Sequence, residues 1–312
     1  MSRFGFGIID SVTNLFTPEA FERGEISTDD DFRRKTRQTP ENWRGTTIED
    51  YLRKMDRAGI EHSLLLAKRC GDMRVPHSSE TPYERVYEVC QKYPDRFSGI
   101  AGCDPTRGMA GLRELEKAVS EYGFLSAHLY PHWFGLPPDH AKYYPYYAKC
   151  CELGVPMMMQ VGNCLVYHQD RRLPSVARPI TLDQVAIDFP ELILIGSHVG
   201  WPWHDEMIAM AWKHPNVYIG LDAYAPKHWP PSIQHFINTF GQDKVLFGSD
   251  WPVIDPERAV DDVEALAFRP APLRKMMRDN VIRVFRLEGR LHSTEADDPA
   301  AWERARDDVG RR

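Results

Sequence analysis

Eight short apolar runs, each followed by a longer amphipathic stretch, constrain the fold of this 312-residue chain more than anything else in it. The runs are Phe6–Asp10, His62–Ala67, Phe97–Cys103, Leu125–Tyr130, Met157–Val161, Leu192–Ser197, Val217–Asp222 and Val245–Ser249. Most are almost continuously hydrophobic, the pattern of parallel strands covered on both faces. Helical periodicity fills the stretches between them: Thr47–Ala58, Pro82–Tyr93, Gly111–Tyr122, Tyr144–Leu153, Leu182–Phe189, Asp205–Lys213, Ser232–Phe240 and Pro256–Ala267. Thr47, with Asp50 three residues on, reads as a helix start. The alternation predicts a single-domain α/β fold, a (β/α)8 TIM barrel over residues 1–287, rather than a doubly wound sheet. Residues 288–312 are charged and lack an apolar face, so a frayed helix or disordered tail is expected there.

Two connections are long: Ser11–Thr46 after the first run and Asn163–Ile180 after the fifth. Both leave the end of a barrel where loops shape an active site. A net charge of -6 and a pI near 6.1 argue against a nucleic-acid footprint. No run approaches the roughly 20 apolar residues of a membrane span, and no export signal precedes Phe4. Six cysteines without a C-x-x-C pair suit reduced thiols, so a cytoplasmic protein is expected.

Polar residues end several of the apolar runs. Asp250, in Gly248-Ser249-Asp250-Trp251-Pro252, follows Lys244-Val245-Leu246-Phe247; His198 follows Leu192-Ile193-Leu194-Ile195-Gly196-Ser197 in the same way. A carboxylate and an imidazole build a core poorly, and they make a suitable base and its orienter. Ala127-His128-Leu129-Tyr130-Pro131-His132 ends the fourth run. At least one of its imidazoles is expected in the site, with His128 as an acid–base group and Tyr130 and His132 binding substrate. The plain alternative is a turn at Pro131 with a solvated histidine. Tyr224, Lys227 and His228 follow the seventh run and offer a phenol and a cation to an anionic substrate, unless that loop is simply solvated. Lys68 and Arg171-Arg172 are further carboxylate-binding candidates. Trp201, Trp203 and Trp251 are read as pocket walls or as ordinary packing aromatics.

Taken in order, these residues resemble the amidohydrolase superfamily, in the branch around aminocarboxymuconate-semialdehyde decarboxylase. The likeness rests on Ile9-Asp10, Gly154-Val155-Pro156, Ser197-His198-Val199-Gly200, Lys213-His214-Pro215-Asn216-Val217-Tyr218, Leu246 to Pro252, and the closing Asp279-Asn280 and Val284-Phe285. It implies a barrel with a divalent metal held by His-x-His after the first strand, a His ending the fifth and an Asp ending the eighth. Here Val12 and Asn14 stand at the His-x-His positions and Gln160 at the third, leaving His198 and Asp250 as counterparts of family site residues. Valine offers no donor, and amide carbonyls bind zinc weakly. No tightly bound catalytic metal or other cofactor is therefore expected, with a weakly held divalent ion at His198 and Asp250 left open. Asn14 and Gln160 are expected to hold a substrate carbonyl or oxyanion.

The preferred reaction from sequence is metal-independent hydrolysis of a small anionic lactone or ring-derived carboxylate by Asp250 and His198. Non-oxidative decarboxylation of an aromatic or muconate-like acid, with Asp250 protonating the ring carbon, is the first alternative. A ligand-binding pseudo-enzyme is the second. The partner is expected to be a small anionic molecule, with neither nucleic acid nor membrane. The family also suggests a homodimer, with Trp43 and Trp229 as candidate interface aromatics.

Overall fold

The computed structural model describes residues 3–26, 30–38, 44–166 and 168–291. Eight parallel strands follow one another around a single sheet: β1 (Ile8–Asn14), β2 (Ile60–Ala67), β3 (Phe97–Gly102), β4 (Ser126–Leu129), β5 (Met157–Gln160), β6 (Leu194–Ser197), β7 (Val217–Gly220) and β8 (Val245–Leu246). Main-chain bonds then close the ring. Ser11 N–H donates to Phe247 O (3.0 Å), Asp250 N–H to Val12 O (3.0 Å) and Asn14 N–H to Trp251 O (2.9 Å). Closure removes the sheet's edges, so the fold is the expected (β/α)8 barrel.

Although β2 reads as one apolar block, its side chains divide with the period of two that a pleated strand imposes. Leu64 and Leu66 point into the barrel with Ile9, Val12, Ile100, Met158, Ile195 and Leu246. Leu65 and Ala67 join the outer core beneath the helices. Val281, Val284, Phe285 and Leu287, from the closing helix Asn280–Phe285 and the turn after it, complete the inner cluster. Helix Ile48–Ala58 starts where its sequence predicts: the Thr47 hydroxyl accepts from Asp50 N–H (3.1 Å), and Gly59 ends the helix in the left-handed region.

The largest differences from the sequence reading lie at the two strands that close the barrel. β1 runs on to Asn14 through a bulge between Asp10 and Thr13, because Thr13 bonds the buried Tyr51 hydroxyl (2.9 Å) and the main chain zips onto the segment after β8. The long connection after it is not bare loop, since it holds the short helices Pro18–Glu22 and Asp30–Lys35. β8 is shorter than expected and ends at Leu246. Trp229, offered above as an exposed interface aromatic, is 2% exposed, and its indole N–H donates to Tyr224 O (3.0 Å). Trp43 and most of the tail (292–312) lie outside the described residues. Among the described residues no helix is long and apolar enough to cross a membrane.

His62 is fully buried in β2, with Nδ1 donating to Asp95 O (3.0 Å) and Nε2 beside Ser98 Oγ (2.9 Å). Burial pushes this imidazole down to about 4, from 6.5. A depressed histidine favours folding while neutral, and the advantage disappears as pH falls from about 6.5 towards 4, where only the unfolded chain takes up the proton. The loss is on the order of 3 kcal/mol. Denaturant titrations of wild type and His62→Gln at pH 7 and pH 4 are expected to show wild type losing that much relative to the variant. A pH-independent difference would contradict it.

Candidate active site

Three neighbouring strands leave the barrel top through non-glycine residues at positive φ. They are His198 (65°) after β6, Ala223 (64°) two residues beyond the Leu221 that follows β7, and Asp250 (50°) beyond β8. Such backbone costs of the order of 1–2 kcal/mol per residue, and it aims the adjoining side chains inward. Asp222, beside Ala223, is buried with them. Room for it comes from two glycines: a Cβ at Gly220 would lie 2.8 Å from Asp222 Oδ1, and one at Gly248 would lie 3.1 Å from Asp222 Cβ.

His198, Asp222 and Asp250 converge. Asp222 Oδ1 accepts from His198 N–H (2.9 Å), while its Oδ2 stands 3.5 Å from His198 Nε2. Asp250 Oδ2 lies 3.7 Å from the same nitrogen, and Asp250 Oδ1 accepts from Asn14 Nδ2 (2.9 Å), which also donates to Trp251 O (2.9 Å). Gln160 Nε2 meets His198 Nδ1 at 3.2 Å, and Gln160 Oε1 finds no partner among the described residues. Burial, then repulsion from Asp222, pushes the Asp250 carboxyl well above the usual carboxylate range. Burial lowers the His198 imidazole, with Asp222 opposing. Behind Asp250, the carboxylate of Asp10 accepts from Ser249 N–H (2.9 Å), Ser249 Oγ–H and Val12 N–H (3.3 Å).

His198 and Asp250 floor a cavity of about 170 Å³. Tyr130, Trp133, Tyr224, Phe16 and Phe32 supply rings to its walls, and Leu165 and Val166 add aliphatic surface. The two long connections thus provide much of the lining. Lys68, half-buried at the end of β2, faces the same space, and its ammonium donates to Ser79 Oγ (3.1 Å). Burial lowers its pKa, and it has no ion-pair partner among the described residues.

The structure therefore brings Asn14, Lys68, Tyr130, Gln160, His198, Tyr224 and Asp250 to one cavity. It does not bring the others. His128 is buried in β4 against the Tyr130 ring (4.4 Å between centroids), and burial holds it down to about 3. His132 is buried in the turn Pro131–Phe134, where Nδ1 accepts from Val176 N–H (3.1 Å), so it braces the β5 loop rather than lining the pocket. His228 and Lys227 are exposed within the turn Pro226–His228. Trp251 is a correction of the same kind: it points outward onto Tyr51 (5.7 Å) and beneath Lys54, as a packing aromatic. Arg171 is spent on Pro76 O, Ser78 Oγ and Trp133 O. Asp222 was missing from the sequence-derived site, although its place at the end of an apolar run is the signal that marked Asp250.

The metal seat implied by the family resemblance fails on strand one, because Val12 carries no donor and is buried among the barrel's interior aliphatics. Three donors do converge a little further round the rim: His198 Nε2 and one oxygen each of Asp222 and Asp250, all within 4.8 Å of one another. One imidazole and two carboxylates suit a small divalent cation.

Titratable groups on the strand ends of a (β/α)8 barrel, over a largely apolar cavity, define the class of barrel enzymes that work at the C-terminal rim. The chain belongs to the amidohydrolase family, whose sequence profile matches residues 47–287, and it is an enzyme of that family. It is 24% identical over 298 residues to the gamma-resorcylate decarboxylase of Rhizobium radiobacter, covering 77% of this chain and 87% of that one. It is 28% identical over 245 residues to the 2-keto-4-carboxy-3-hexenedioate hydratase of Sphingobium sp., covering 66% and 71%. In fold it is similar to the dihydroxybenzoic acid decarboxylase of Polaromonas sp. JS666, solved with manganese and 2-nitroresorcinol, with a TM-score of 0.64, 19% identity, and 92% and 98% of the two chains covered.

Proposed function

We propose that this enzyme is a lyase that removes a carboxyl group, without oxidation, from a small aromatic or conjugated acid. One observation carries the reading: Lys68, a half-buried ammonium without a carboxylate partner among the described residues, faces a ring-walled cavity whose floor holds Asp250 and His198. An anion with a flat apolar body satisfies both features. The activities of the two named relatives, a decarboxylase and a hydratase of unsaturated acids, support this over the hydrolysis preferred from sequence.

Lys68 takes an anionic oxygen of the acid, and the rings of Tyr130, Trp133 and Tyr224 hold its plane and exclude water. Asp250 hands a proton to the carbon that bears the carboxyl group. The carbon–carboxyl bond breaks, its electron pair stays on that carbon and takes up the proton, and carbon dioxide leaves. Asp250 is reprotonated from water. Asn14 fixes the outer oxygen of Asp250, and Gln160 fixes the ring of His198. A divalent ion, manganese in the Polaromonas relative, would be held by His198, Asp222 and Asp250 and would supply Lewis-acid stabilisation of substrate oxygens. The hydratase relative favours a second reading, addition of water across a conjugated double bond, which needs the same proton delivery to carbon.

The test is a panel of hydroxybenzoic acids, muconate-like acids and lactones. Carbon dioxide released one-for-one with acid consumed is the expected result. Lactone opening without carbon dioxide would overturn it in favour of hydrolysis, and loss of conjugation without carbon dioxide would favour the hydratase. On the acid that turns over, Lys68→Met is expected to raise KM about 10- to 100-fold with kcat nearly unchanged, the mark of binding lost equally from ground state and transition state.

A further inference from the structure

Among the described residues, each member of the rim cluster has one polar atom tied to the protein and one left free. Asp222 holds the His198 N–H with Oδ1 and leaves Oδ2 free. Asp250 receives Asn14 on Oδ1 and leaves Oδ2 free. His198 meets Gln160 at Nδ1 and turns Nε2 towards both free oxygens. The resulting gaps, 3.5 and 3.7 Å, are long for hydrogen bonds. They are close to the roughly 3.0–3.5 Å that separates neighbouring ligands of an ion bound at about 2.1 Å. The anchors are of the kind that orient metal ligands.

Gln160 supplies an independent observation. It is 9% exposed, lies against the imidazole, and leaves Oε1 without a partner among the described residues. Its amide nitrogen and oxygen differ little in shape, so the group can sit either way round. Turned over, it accepts from Nδ1–H and leaves the Nε2 lone pair facing the two carboxylates. Val12 closes the strand-one side of the rim, so the third ligand has to come from elsewhere, and Asp222 is the carboxylate in place.

We infer that this enzyme holds a divalent cation on His198, Asp222 and Asp250, with Asp222 replacing the ligands that the family places on strand one. The inference shares its site with the lyase reading but does not rest on the reaction, so the deciding measurement uses no substrate. Full-length protein is stripped with chelator and titrated with Mn2+, with free ion followed by its electron paramagnetic resonance signal and bound ion by elemental analysis after dialysis. The expected result is one ion per chain, with Asp222→Asn binding at least tenfold more weakly and no longer gaining melting temperature from Mn2+. Asparagine keeps the oxygen that accepts from His198 N–H, and circular dichroism checks that the variant folds. His198→Gln serves as a second variant, expected to weaken binding likewise. No bound ion in wild type, or unchanged affinity in Asp222→Asn, overturns the inference. A stoichiometric ion in a protein that releases no carbon dioxide leaves it standing and sinks only the lyase reading.

Discussion

Asp250→Asn is expected to lower turnover by about a thousandfold while leaving the protein as stable as wild type. The two effects diverge for one reason. Asparagine has the shape of aspartate, and its amide oxygen can still accept from Asn14 Nδ2, so the packing beyond β8 is kept. Removing a buried carboxylate also relieves the repulsion from Asp222 that raises this group's pKa. The amide, however, has no proton to give, and general-acid catalysis typically contributes about 10²–10⁴-fold. The measurement is kcat for whichever acid the panel identifies, paired with a melting curve. A variant within tenfold of wild type would remove Asp250 from the mechanism. A large drop in melting temperature would mean the carboxylate is structural instead.

The largest stability loss is expected at Asp10. This side chain is fully buried and accepts from two N–H groups and one hydroxyl on the two strands that close the barrel. Asp10→Ala leaves those donors buried and unpaired, at a cost of about 3–5 kcal/mol, read as a lower denaturation midpoint with an unchanged slope. Asp10→Asn keeps acceptor capacity and is expected to lose about half as much. Burial raises the Asp10 carboxyl to about 7, against 3.8 unperturbed. Its neutral form therefore favours folding at low pH, and the benefit fades as pH rises from about 4 through 7, opposite in sign to His62. The two dependences offset each other in wild type, so each shows only as a difference between wild type and variant. An Asp10→Ala protein as stable as wild type would mean that the main-chain bonds alone close the ring.

Particular residues show why some of the site was legible and some was not. His198 and Asp250 stand out in sequence because a polar residue interrupts an apolar run at the point where a barrel strand must end. Asp222 sends the same signal but was absorbed into the seventh run. Nearness in the chain to strand ends marks His228 and Trp251 as pocket residues in the sequence. One turn of backbone carries His228 into solvent, and the alternation past Asp250 sends Trp251 outward onto Tyr51. The loss of imidazoles from strand one was plain in sequence, and so was the inability of Val12 to bind a cation.

By itself, then, the sequence determined the barrel, the order of its strands and which residues stand at their ends, because burial on both faces forces apolar runs of strand length and a turn closes each one. Only the tertiary structure decided which of those residues meet. Side-chain direction past a strand end depends on one or two φ angles, here the positive values at His198, Ala223 and Asp250. It depends also on the space that Gly220 and Gly248 leave for Asp222. Both are set by packing between segments far apart in the chain, which no local pattern of residues records.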